Sequence, residues 1–285
     1  MSKLFDDIME GLKEIALMKN RPELINEINK VVKDNNMSKI NQKLKVHIKN
    51  ALEYFEEELK NEDSRFKSWD FCFAAFNEAR KNKSHEINID YLCLMLNNYL
   101  ASWGMFRNSF LMETNYKIHE GAVRIIMEQN DGLVSMELQN AKDHIERILE
   151  LRKELDEHYK QIRKKVYEKA KKPTPKKDIS DTLLTKIMLG TLGCVPAYDE
   201  LFTKGLKEFE ITQKFGENSL NEIIDFYEEN KGVFNETINK CSKLKEYPQM
   251  KIIDMALWKI GFDIDKSEKI QRKKGNNLII PNKIK

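Results

Sequence analysis

The chain has 285 residues, 49 Lys+Arg against 46 Asp+Glu and a formal net charge of +3; one third of its residues are charged. No apolar run is long enough to span a membrane, and six Pro and 11 Gly are too few for a collagen-like or low-complexity chain. With 14 Phe, nine Tyr and three Trp available for a core, and four Cys too dispersed for a disulfide scaffold, the composition points to an all-α protein.

The chain begins Met1-Ser2-Lys3-Leu4-Phe5-Asp6-Asp7, with acids where a signal peptide carries its apolar core, so a cytoplasmic location is expected. Buried reduced cysteines and the absence of a C-x-x-C agree with that. Abundant Lys, Asn and Ile hint at an AT-rich bacterial or phage genome. Leu4, Ile8, Leu12 and Ile15 form a first helical stripe, Leu24, Ile28 and Val31 a second, and Leu44, Ile48, Leu52, Phe55 and Leu59 a third. No proline occurs between Pro22 and Pro173, which favours uninterrupted helices. Ser38 and Ser64 are expected near helix starts. The stretch from Leu4 to Glu14 is similar to the leader helix of bacterial antitoxin-type regulators, without the DNA-binding helix-turn-helix that would follow it there.

Trp69, Phe73 and Phe76 share a helix face. Residues 89–110 carry only Asp90 and Arg107 as charges and read as a helix buried on most sides, with a tight change of direction at Gly104. A helix from Tyr116 to Met127 follows, ended by Asn130-Asp131-Gly132. Over residues 134–172 a heptad-like seam (Leu138, Ala141, Ile145, Ile148, Arg152, Leu155, Tyr159, Ile162, Val166) predicts one long helix. It serves either as a spine within its own domain or as the contact for a protein partner or homo-oligomer.

Pro173-Thr174-Pro175 ends that helix within a basic linker. Helices are expected over 180–192, 197–209, 220–229, 234–244 and 250–260, with Gly261 as a C-cap and a flexible tail from Lys266. The expected organisation is therefore N-terminal helices (1–62), a central helical domain with the long helix (63–172), a C-terminal helical block (173–265) and a basic tail (266–285).

Three groups of residues invite a functional reading. The first lies between Leu183 and Gly205, where glycines, a cysteine and a proline interrupt an apolar helix and Pro196 is expected to open the next one. Asp199 and Glu200 there are either acids complementing a helix N-terminus or, for Asp199, a carboxylate poised as a base. Thr185-Lys186, Gly193, Pro196 and Asp199 resemble the order of motifs in helix-hairpin-helix DNA glycosylases, and the helix Ile252-Ile253-Asp254-Met255-Ala256-Leu257-Trp258 resembles a later packing helix of such proteins. The resemblance spans about the last hundred residues. It implies a DNA-repair enzyme with Asp199 supporting chemistry at the sugar and Lys186 as its partner. The Leu-Pro-Gly-x-Gly hairpin that holds DNA phosphate in that family is absent, and the turn reads Pro-Ala-Tyr-Asp, one residue longer than usual.

The second group is Tyr99, Ser102, Trp103, Arg107, Asn108 and Ser109, a polar cluster in an apolar context. It reads either as a structural ion pair, with Arg107 on Glu113 or on a carboxylate of the C-terminal block, or as a ligand pocket. In the second case Tyr99 and Trp103 form the wall and Arg107 takes an anion. The third group is the basic linker and tail. Residues 163–177 carry eight Lys/Arg and one Glu, and residues 266–285 carry seven and one, so the rest of the chain is acidic, near −10. Arg163, Lys164, Lys165, Lys171, Lys172, Lys176 and Lys177, with Arg272, Lys273 and Lys274, are the expected nucleic-acid contacts. With Tyr167 alone among aromatics in the first run, sequence-specific readout is not expected. No cofactor motif and no metal-ligand spacing occurs among the five His and four Cys. Two readings stay open: a helical interaction or regulatory protein that contacts nucleic acid, and a glycosylase-like enzyme.

Overall fold

The computed structural model describes residues 2–18, 21–81, 87–107, 109–128 and 131–277; for 2–7, 33–41, 131 and 273–277 it describes the backbone alone. Leu4, Ser38, Asn108, Lys273 and Lys274 therefore have side chains outside the described residues. The chain divides into two compact units, Met1–His47 and Ile48–Lys285. The division falls at neither 62, 172 nor 265, where the sequence suggested boundaries, but inside one helix.

The first unit holds α1 (Ser2–Met18) and the start of α2 (Pro22–Glu58). Arg21 N–H donates to the Ala16 carbonyl at 2.9 Å. Ala16 and Ile28 are buried, while Ile8, Leu12, Ile15, Leu24 and Val31 stay exposed along their helices.

The second unit is all-α, and no strand occurs among the described residues. It opens with the end of α2, whose buried Ile48, Leu52 and Phe55 follow the helical repeat, with buried Leu59 just past its end. α3 (Lys67–Lys81), α4 (Ile89–Ser102) and α5 (Glu120–Met127) come next, with a 3-10 turn over Tyr116–His119 leading into α5. Gly104, at φ +72°, makes the expected turn after α4. A 3-10 segment, Leu138–His144, runs into α6 (Ile145–Lys169), so the expected long helix is α-helical over only part of its length. Its seam residues Ile145, Ile148, Leu155 and Tyr159 are buried among contacts to α5, α7 and α9, and Leu151 is buried where the expected seam had its neighbour Arg152. Over 145–159 α6 is thus a spine within its own unit, whereas the seam residues Ile162 and Val166 are half-buried.

α7 (Asp181–Thr191), α8 (Glu200–Glu208), α9 (Glu217–Lys240) and α10 (Gln249–Asn277) complete the unit. α9 is one helix where the sequence suggested two, because Gly232 faces open space and interrupts nothing. Gly261 is no C-cap. It lies inside α10, where an added Cβ would overlap the Leu201 carbonyl oxygen, as one at Gly205 would overlap that of Leu257. These two glycines let α8 and α10 cross backbone to backbone. α10 continues as helix through 266–277, with Lys204 of α8 joined to Asp265 (2.8 Å) and Glu268 (3.1 Å); the rest of the expected tail, 278–285, lies outside the described residues.

Among the described residues no helix is long and apolar enough to cross a membrane. All four cysteines are buried and free. Burial pushes the thiols of Cys93 and Cys241 up to about 11, which makes them poor nucleophiles at neutral pH.

Candidate functional site

The Ser180–Asp199 segment is built from the inside out. Ser180 caps α7 by accepting from Leu183 N–H at 3.3 Å. From Leu183 to Leu192 the helix and its end are wholly buried, so the sequence there is mostly apolar and its polar members, Thr185, Lys186 and Thr191, all have partners. Gly190 makes room for the Tyr99 ring. Gly193, at φ +65°, turns the chain against Pro248 and Phe73. The chain then runs through Cys194–Tyr198 without helix, so Pro196 does not open α8 as expected; Asp199 does, as its N-cap.

A buried non-helical backbone needs partners, and polar side chains supply them. Ala197 N–H donates to Asp254 at 2.9 Å, Tyr198 N–H donates to the Thr185 hydroxyl at 2.9 Å, and the Thr182 hydroxyl donates to the Tyr198 carbonyl at 2.8 Å. The Tyr198 hydroxyl meets that of Ser219 at 2.8 Å.

Two ion pairs frame this segment. Lys186 Nζ lies 2.8 Å from Asp199 Oδ2, with side chains 4% and 18% exposed. Lys251 Nζ lies 2.8 Å from Asp254 Oδ2. Each ammonium also rests over an indole: Lys186 lies 4.9 Å from the Trp103 ring centre and Lys251 5.5 Å from that of Trp69. Trp103 packs edge-on to Trp258, and Phe66 reaches both. Burial first, then Asp254, Cys72 and Asp199, hold the Tyr99 phenol well above its ordinary range, so it stays protonated.

The structure thus brings Tyr99, Trp103, Lys186 and Asp199 to the walls of one space, together with Lys251 and Asp254. Sequence reasoning missed the last two. Their signal is a Lys and an Asp three residues apart in the otherwise apolar run 250–258, a spacing that places both on one helix face. Arg107 does not join them. It is exposed and makes no ion pair among the described residues, with Glu113 or with any other acid. The space itself is about 10 Å³, room for a single water. Asp199 Oδ1 is engaged by Leu201 N–H (3.2 Å) and Phe202 N–H (3.0 Å), and Oδ2 by Lys186. Of the residues carrying the glycosylase resemblance, Asp199 caps α8 and pairs with Lys186.

The basic residues divide into two kinds. Arg163 is buried, and its guanidinium donates to the carbonyls of Pro175 (3.3 Å), Lys177 and Asp178 (3.5 Å). It clamps the linker onto α6 and is not available to a nucleic acid, contrary to expectation. Ile179 N–H donates to Asp156 at 2.8 Å, and Lys160 joins Asp156 at 2.7 Å, which completes the clamp. Lys164, Lys165, Lys171, Lys172, Lys176 and Lys177 are exposed. Beside them a groove of about 640 Å³ has Lys117, Lys165 and Lys169 on its walls, Ile118, Ile162 and Val166 among its apolar lining, and Glu113 as its one acid. Arg272 is exposed on α10, 3.9 Å from Glu268.

Among the described residues no group of three or more His, Cys, Asp or Glu is placed to hold a metal ion. No family model, no curated protein and no solved structure matches this chain.

Proposed function

We propose that this protein is a helical interaction protein that contacts nucleic acid through the lysine face at the C-terminal end of α6 and the turn that follows it. The observation that carries the reading is the groove beside α6. Three lysines share its walls with a single acid, and five further exposed lysines, Lys164, Lys171, Lys172, Lys176 and Lys177, lie nearby in the chain. Lysines held on a helix and on a clamped turn lose less freedom on binding than a mobile tail would. Ammonium groups placed this way neutralise phosphates and release counterions, whereas the apolar floor accepts sugar and base faces without reading sequence.

The test is fluorescence anisotropy with labelled single-stranded and duplex oligonucleotides of about 20 nucleotides, titrated at several salt concentrations. Each phosphate neutralised contributes about −0.7 to −0.9 to the slope of log K against log salt, so four contacts give a slope near −3. Lys165→Glu with Lys169→Glu and Lys171→Glu should weaken binding by about tenfold or more and flatten that slope. Binding that is insensitive to salt, or unchanged in the triple variant, overturns the proposal.

A further inference from the structure

A second, larger cleft of about 870 Å³ lies between one face of α3 and the loop 241–248, and it uses none of the lysines of the α6 face. Its back wall is aromatic. The Phe73 and Tyr247 rings each lie nearly parallel to the Trp69 indole, at centroid separations of 4.5 and 5.1 Å and interplanar angles of 19° and 22°. Trp69 is fixed by its Nε1–H, which donates to the Leu189 carbonyl at 2.9 Å, and Lys251 lies over its ring. Tyr247 is fixed by its hydroxyl, which donates to the Asp70 carboxylate. The two partly exposed rings, Phe73 and Tyr247, are therefore held rigidly at the surface of the cleft.

The loop that brings Tyr247 is itself anchored from a distant part of the chain. Glu56, at the end of α2, accepts from Ser242 N–H (2.8 Å), the Ser242 hydroxyl (2.7 Å) and Lys243 N–H (3.0 Å). Burial opposes its charge, but these donors together hold its carboxyl below the usual range. The same loop places Lys243 on the lining, which Lys81 at the end of α3 shares, and neither ammonium lies within salt-bridge distance of a carboxylate among the described residues. Glu78 and Glu246 supply carboxylates to the same lining. Asn77 gives its amide oxygen to Arg80 at 3.3 Å, which leaves its NH₂ able to donate into the cleft.

A preorganised aromatic wall, unpaired lysines, carboxylates and one amide match the parts of one ligand class. We infer that this cleft binds a nucleoside monophosphate. The base stacks on the exposed face of Phe73 and extends the Trp69–Phe73 stack. A carboxylate of Glu78 or Glu246 accepts from the ribose hydroxyls, as acids do in other nucleotide sites. Lys81 and Lys243 take the phosphate. The volume lies within the range of small-ligand sites. Of the three acids on the lining, Asp70 is taken up by the Tyr247 hydroxyl, and the ribose hydroxyls donate to one of the other two.

Isothermal titration calorimetry of the full chain against AMP and GMP tests this, with adenosine and inorganic phosphate as separate probes. Saturable binding of a monophosphate is expected, tighter than either half. Lys81→Ala with Lys243→Ala should weaken AMP about tenfold, which is about 1.4 kcal/mol, and leave adenosine unchanged. Phe73→Leu should weaken both. The lysine variants are surface changes, so their fold is checked directly by circular dichroism. No saturable heat at millimolar AMP and GMP overturns the inference. So does phosphate binding as tightly as AMP, or an AMP affinity unchanged in the folded double-lysine variant.

Discussion

Lowering the pH through the range where histidine titrates should destabilise this protein through His119. The ring is fully buried, and its Nδ1 lies 2.7 Å from the Tyr159 hydroxyl. Its Nε2 has no partner, so an imidazolium would find one acceptor for two N–H groups. Burial first, then the neighbouring His158, pushes its pKa from 6.5 down to about 3. Because the folded value is depressed, the unfolded chain binds this proton first; stability is complete above the unfolded value and is lost as pH falls below it. At about pH 5 the linkage relation gives a loss of about 2 kcal/mol relative to about pH 7.5, with a limiting slope near 1.4 kcal/mol per pH unit. His158, whose pKa burial also lowers, adds to this in the same direction. The assay is urea denaturation across that pH range for the wild-type chain and for His119→Gln. The variant starts less stable, because it loses the imidazole packing, but its stability should fall by about 2 kcal/mol less over the same range. Parallel pH profiles for the two proteins would refute the buried neutral imidazole.

Two further outcomes test the packing and the ion pairs. Gly261→Ala drives a methyl into the Leu201 carbonyl across the α8–α10 crossing and should cost about 3 kcal/mol in thermal or urea unfolding. Gly232→Ala, in open space inside α9, should instead stabilise by about 0.5–1 kcal/mol, so equal signs for the two would be fatal to the crossing argument. Lys186→Met leaves the Asp199 carboxylate without its cation and should cost about 3 kcal/mol. Lys186→Met with Asp199→Ser keeps a capping oxygen for α8 and should recover most of that in the same assay.

How much of this was legible in the sequence depended on whether a residue's partner was near in the chain. The stripes of α2, the turn at Gly104 and the buried character of α7 follow from local pattern, and the all-α class with them. Sequence reasoning pairs Lys186 with Asp199 and makes Tyr99 and Trp103 a wall, but it joins the two groups only through Arg107, whereas the structure joins them directly around one space. Gly261 misled, because a glycine closing an apolar run reads as a cap; only the distant Leu201 carbonyl explains it. Arg163 misled for a related reason. A basic run looks uniformly solvated until one of its members is found folded over the carbonyls that follow it. Arg107 drew attention as the lone cation near an apolar helix, yet it lies past Gly104, where the chain has already turned out to solvent. The aromatic cleft was invisible because α3 and the loop 241–248 are more than 150 residues apart in sequence.

The complete burial of α7 has a consequence for synthesis. Its cover on one side, α3, α4 and α6, has been made by the time α7 leaves the ribosome. The residues that close the other side, Lys251, Asp254 and Trp258, are translated about 60 residues later, which at ordinary elongation rates is several seconds. During that interval a mostly apolar helix, carrying an unpaired Lys186 until Asp199 arrives, waits with an open flank. The apolar surface of α7 is exposed to other chains for that time.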